Sequence, residues 1–185
     1  MGGAIHPNRV ATFPRRSPSS PVSASPDPLP TIVAFIESVG LPVSFGPLDA
    51  PTFLPGVRIE RGALRVDPDR LTHPGDLLHE AGHLAVAAPE VRATLDGDVG
   101  AGGPGEEMAA IAWSWAALVH LGLDPAVVFH ADGYQGGSDA LIENFSAGRY
   151  IGAPLLQWMG LTLDPERAAE AGAEPFPAMQ RWLRP

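Results

Sequence analysis

The 185-residue sequence contains no cysteine. Disulfide frameworks and thiolate metal sites are therefore excluded, and any metal must sit on histidine and carboxylate. Basic residues are few, with 12 Lys+Arg against 21 Asp+Glu and a net charge of −9. Phosphate backbones and anionic lipids need clustered cations, so neither nucleic acid nor membrane is an expected partner. No apolar run reaches membrane length. The longest, from Met108 to Leu123, is interrupted by Ser114, His120 and Gly122 and reads as a buried helix. Large apolar side chains are almost missing from "RRSPSSPVSASPDPLP". Such a segment cannot bury enough surface to offset its ordering entropy, so residues 1–30 are expected to be a disordered Pro/Ser-rich tail. Arg15–Arg16 lacks the apolar stretch that a twin-arginine or secretory signal requires, and the expected location is the cytoplasm.

What is present suits one globular domain over residues 31–185, with 45% hydrophobic and 18% charged residues. "TIVAFIESVG" carries Ile32, Val33, Phe35, Ile36 and Val39 at helical spacing from Thr31, with Gly40 as a stop. "LPVSFGPLDAPTFLPG" is too proline-rich for a central strand. "VRIERGALRV" alternates, with Val57 and Ile59 on one side and Arg58 and Glu60 on the other. Arg61–Gly62 is its turn and Ala63 to Val66 the returning strand.

The segment "HPGDLLHEAGHLAVAAPE" follows. Pro74 suits the first turn of a helix, and Asp76 lies where the dipole favours negative charge. Leu77, Ala81, Leu84 and Ala88 recur at core-facing spacing. His79 and His83 are four apart and project from one side, the geometry of a two-histidine chelate. Glu80 points near the same place without being a ligand, where it can take a proton from a water activated by the metal. Random placement of this composition gives only about 0.01 such matches. A hydrolytic zinc site needs a third protein ligand. "PGEEMAAIAWSWAALVHLGLDP" is a helix running from Pro104 or Gly105 to Gly122, with Glu106 and Glu107 in its first turn. Glu107 shares a face with Ile111, Ser114 and Leu118, and Glu106 with Ala110, Trp113 and Ala117. Helix geometry alone does not separate the two carboxylates.

"HEAGH" together with Glu107 in "EMAAIAWSWAAL" resembles the zincin-like (gluzincin) HExxH metallopeptidases of the ImmA/IrrE type. The pattern of Glu107, Ala110, Trp113 and Ser114 is similar to the helix that carries that family's third ligand. "RGALRVDPDRL" is similar to its strand and connection before the active-site helix. The likeness covers residues 31–122. It implies an α+β zincin-like fold, in which a small three-stranded sheet packs on the HExxH helix and a second ligand-bearing helix, followed by a mostly helical C-terminal part. It implies His79, His83 and Glu107 as zinc ligands and Glu80 as general base. Where related gluzincins place Asp or Asn, four residues after the ligand glutamate, this chain has Ile111.

Beyond Gly122, short helices are expected after Asp124–Pro125 and after Ser138, a candidate N-cap, with terminal helical turns in "TLDPERAAEAG" and "PFPAMQRWLRP". His130 and Tyr134 are candidates to stabilise an oxyanion opposite the metal. His73 reads as a loop residue, His120 as a helix C-terminal residue, and Trp158 and Trp182 as packed. The expected activity is zinc-dependent hydrolysis of a peptide bond in a peptide or protein substrate, with Mn, Fe or Ni as alternative ions. The substrate is expected to lie along the Ala63–Val66 strand by strand addition. The alternative is a non-catalytic metal-binding or interaction module, whose closed site would take a fourth ligand such as His130 or Asp98.

Overall fold

Prolines and glycines punctuate the architecture. The computed structural model describes residues 27–97 and 103–185. Residues 1–26, most of the expected tail, and Asp98 lie outside the described residues. Helix α1 (Leu29–Ser38) opens two residues before the expected Thr31, because Pro28 already has helical dihedrals and Pro30 sits in the first turn, where no N–H is needed. Gly40, at φ +95°, turns the chain away.

Three short strands follow: β1 (Val43–Phe45), β2 (Val57–Glu60) and β3 (Ala63–Val66). The β2–β3 hairpin forms as its alternation predicts. Arg61 and Gly62 both take left-handed dihedrals, φ +48° and +77°, as the two-residue turn matching strand twist requires. Val57, Ile59, Leu64 and Val66 all turn inward. The sheet order is β1-β3-β2, with β1 parallel and β2 antiparallel to β3. The proline-flanked strand thus lies at an edge, where missing donors are tolerated. This order corrects the expected peptide register. Ala63–Val66 is the central strand and both of its edges are paired, so no peptide can add to it.

Helix α2 (Asp76–Val86) packs Leu77, Leu78, Ala81 and Leu84 into the core beneath the sheet. It starts two residues later than expected. Pro74 lies in the turn before it, and the Pro74 and Gly75 carbonyls accept from Leu77 and Leu78. Helix α3 (Pro89–Arg92) is a single turn. Its Arg92 donates to the Leu84 and Ala87 carbonyls at 2.8 and 3.0 Å, closing the C-terminal end of α2. Helix α4 (Pro104–Leu121) runs between the expected bounds and stops at left-handed Gly122.

The C-terminal part adds α5 (Ser138–Ser146), α6 (Ala153–Trp158) and α7 (Pro165–Ala171). Ser138 does not cap α5. Its hydroxyl donates instead to the His130 carbonyl at 2.6 Å. The segment after Pro175 is not helical, because Met179 bridges to Thr162 and Gln180 donates to Leu161. Trp182 packs against Phe35 and Trp113 and accepts at its carbonyl from the Trp113 indole. Trp158, expected to pack, is exposed, with the Arg184 guanidinium 5.3 Å from its ring. The result among the described residues is an α+β fold with a mixed three-stranded sheet and seven helices around one core reaching from Ile32 to Phe176. No described helix is long and apolar enough to cross a membrane.

Candidate metal centre

Two helices build the site, and Gly82 determines how closely they approach. A Cβ at Gly82 would meet the Ala110 carbonyl oxygen at 2.8 Å. Only a glycine lets the α2 and α4 backbones come that near. Ser114 ties the pair, donating to the Ala110 carbonyl at 2.8 Å and lying 3.3 Å from that of Leu78. The fixed spacing carries Glu107, in the first turn of α4, onto the histidine face of α2.

The ligand atoms then converge. His79 Nε2 and His83 Nε2 are 3.2 Å apart. Glu107 Oε1 is 3.5 Å from His79 Nε2, and Oε2 is 3.2 Å from His83 Nε2. A tetrahedral ion with ligands at about 2.0–2.1 Å sets its ligand atoms about 3.3 Å apart. The three side chains therefore match three corners of such a site with no rearrangement. Their protonation suits it as well. Burial, reinforced by neighbouring His83, lowers His79 to about 4, so the imidazole is neutral at pH 7, as a ligand must be. A hydrogen bond from His83 holds the Glu107 carboxyl below its usual range, although burial opposes this. Among the described residues, no such contact involves Glu106. Glu80 is half-buried, and its charge is felt at Tyr134.

Tyr134 comes from the loop after α4 and lies across His79, with ring centroids 5.6 Å apart and edge to face. Its hydroxyl is 3.4 Å from His79 Nδ1. If Nε2 holds a metal, Nδ1 must carry the proton and can donate to the phenolic oxygen, which would orient the imidazole from behind. Burial first, then the Asp76, Glu107 and Glu80 carboxylates, raises the tyrosine so that it keeps its own proton. Tyr134 and Gln135 hold left-handed dihedrals, φ +53° and +52°. Two such residues in succession are strained, and packing must maintain them.

Phe129 packs on Tyr134, with ring centroids 5.1 Å apart. Asp76 and His73, unassigned by sequence beyond a dipole and a loop, hold His130, whose carbonyl accepts from Gly133 and Ser138 in the same loop. Asp76 Oδ1 is 2.9 Å from His130 Nε2, and the His73 ring stacks on His130 at 3.6 Å with 8° between planes. Burial raises the Asp76 carboxyl, while His130 and then His73 act against it. Asp76 Oδ2 and His130 Nδ1 are buried with no hydrogen-bond partner among the described residues. His130 therefore lines the cavity with Nε2 committed to Asp76 and Nδ1 enclosed. Its place is to pin the loop that carries Tyr134.

His73, His130 and Asp132 form a second cluster whose ligand atoms also lie close together. Ring orientation argues against an ion there. Imidazole binds metal through an in-plane lone pair. An ion shared equally by rings stacked 3.6 Å apart would sit well out of both planes, by nearly its whole bond length of about 2.0–2.1 Å.

A cavity of about 140 Å³ opens beside the triad, lined by His79, Glu107, Tyr134, Asp76, Phe53 and Leu54 among others. No family model, curated protein or solved structure matches this chain.

Proposed function

We propose that the chain is a metal-dependent hydrolase, with zinc held by His79, His83 and Glu107, that cleaves a peptide bond. The observation that carries this reading is the 3.2–3.5 Å separation of the three ligand groups, which fits three protein ligands and leaves one position open. A closed structural site would need a fourth protein ligand. Among the described residues the cluster holds three, and His130 is committed to Asp76. An ion in this place supplies Lewis acidity, polarising a carbonyl and making water nucleophilic at neutral pH.

The protein's own groups do the rest. Glu80, next to a ligand but not among the three, accepts the proton of the attacking water and returns it to the leaving nitrogen. Tyr134 accepts from His79 and keeps a phenolic proton to donate to the substrate oxygen as negative charge develops on it. His130 and Asp76 hold that loop in place. The resemblance of "HEAGH" and "EMAAIAWSWAAL" to ImmA/IrrE-type metallopeptidases is what narrows hydrolysis to a peptide bond and the fold to a zincin.

Glu80→Gln tests the reading, because a base is needed for turnover and a ligand for occupancy. The zinc-loaded variant should keep its metal and lose peptide-library hydrolysis by about two orders of magnitude or more. Chelation should abolish hydrolysis by the wild type. If the variant loses its zinc, Glu80 is a ligand or a structural partner. If it turns over peptides as fast as the wild type, the assignment of the base is wrong.

A further inference from the structure

Phe53 is the most exposed large apolar residue described, at 82%, yet it is not on a loose segment. The loop that carries it is tied along its length. The Leu48 N–H donates to Asp67 at 2.9 Å, Asp49 pairs with Arg58 at 2.9 Å, and the Ala50 carbonyl accepts from Arg70 at 3.1 Å. The Leu54 carbonyl accepts from both Thr52 Oγ1 and the Val57 N–H, at 2.6 and 3.2 Å. At Gly56, φ +81°, a Cβ would collide with the Leu71 backbone, so only glycine allows the closing approach. Pro51 and Pro55 flank the aromatic residue and restrict it further. A phenylalanine fixed in water by its own loop gains nothing from that position in the fold itself.

Its position gains meaning from what lies beside it. Phe53 and Leu54 form one wall of the 140 Å³ cavity, and His79, Glu107 and Tyr134 line the same space. Sites for whole small ligands run to about 300–1,000 Å³. The cavity is well below that and suits one side chain of medium size. The Phe53 and Leu54 side chains offer no hydrogen-bond donor to a carboxylate, which disfavours an acidic occupant against that wall.

We propose that Phe53 and Leu54 are specificity-determining residues, forming a subsite that takes a leucine- or phenylalanine-sized side chain adjacent to the scissile bond. The proposal rests on the metallohydrolase reading of the same site and adds the class of substrate: peptides with a large apolar residue at the cleavage point. The fixed loop means that little ordering entropy is lost on binding, so the apolar contact appears as affinity.

Hydroxamates test it without knowledge of the natural substrate, because one end chelates the metal and the other can be varied. On the zinc-loaded full chain, calorimetry would compare acetohydroxamic, 3-phenylpropanohydroxamic and 4-methylpentanohydroxamic acids with a carboxylate-bearing analogue. The two apolar compounds should bind at least tenfold tighter than acetohydroxamic acid, and the acidic one more weakly than it. Phe53→Ala should reduce the apolar preference to about twofold with zinc content unchanged. Phe45→Ala, at the half-exposed phenylalanine of β1 outside the cavity, should leave the preference intact. Equal binding of all four compounds, or a preference that survives both Phe53→Ala and Leu54→Ala, overturns the subsite alone. If no hydroxamate binds the zinc-loaded protein, the metal-centre reading is overturned, and the subsite with it.

Discussion

Two clusters in this protein each bring together a pair of histidines and a carboxylate, and they do opposite things with them. In the first, the His79 and His83 rings stand edge to face, 89° apart, and their Nε2 atoms point at one spot. In the second, His73 and His130 lie flat on one another and Nε2 of His130 is spent on a buried aspartate. The difference comes from the backbone beneath. A four-residue step along one helix directs two imidazoles to a common point, whereas a loop residue laid over another loop residue stacks. Proximity of ligand atoms therefore does not make a metal site; the direction of the lone pairs does. The second cluster serves the first by holding the strained turn that presses Tyr134 on His79.

The sharpest way to break this comparison is at the carboxylates of α4. Glu107→Gln should weaken zinc binding by more than the about 10–100-fold that loss of a second-sphere partner costs, while Glu106→Gln should change it little, as read by competition with a chelating dye. The reverse ranking would move the site by one residue around α4.

A proton titration sharpens the contrast next. Burial holds His79 near 4 in the native state, against 6.5 when unconstrained. The unfolded chain therefore takes up the extra proton between those values, and the metal-free protein should lose stability as pH falls from 6.5 to 4. The loss is on the order of 3 kcal/mol at most. Asp76, whose carboxyl is raised by burial, acts in the opposite sense. Denaturant unfolding across this range should show the decline in the metal-free wild type and a smaller one in His79→Ala. An identical decline in both would place the titrating group elsewhere.

The smallest effect is expected at Tyr134. The contact to His79 is long, 3.4 Å, so Tyr134→Phe should reduce zinc affinity only about tenfold, the low end for an orienting partner. Catalysis should fall further than affinity if the phenol also donates to the substrate. Equal falls would leave it a positioning residue alone.

Much of the first cluster was legible in the sequence. The helical spacing of His79 and His83, the apolar face through Leu77, Ala81 and Leu84, and the Arg61–Gly62 hairpin are local patterns, and local patterns survive folding. The choice between Glu106 and Glu107 was not legible in the helix pattern, and only the family resemblance pointed to Glu107. It depends on how α4 rotates against α2, which Gly82 and Ser114 determine across the interface. Asp76 illustrates a different difficulty. A carboxylate at a helix start already has a sufficient local explanation in the dipole, so its partner His130, 54 residues away, leaves no trace in the sequence. Strand order was hidden in the same way. Nothing in "ALRV" announces a central strand, and only the return of β1 to its open side makes it one. Trp158 shows the converse, a large aromatic that hydrophobicity assigns to the core and that the short helix α6 turns outward.

Zinc stoichiometry across the two clusters tests the central claim most directly. Purified protein, loaded with zinc, freed of excess and measured by native mass spectrometry, should carry one ion per chain in the wild type, in His73→Ala and in His130→Gln, and none in His79→Ala or His83→Ala. Retention of the ion in both His79→Ala and His83→Ala, with its loss in His73→Ala or His130→Gln, would contradict the account and move the metal to the stacked pair.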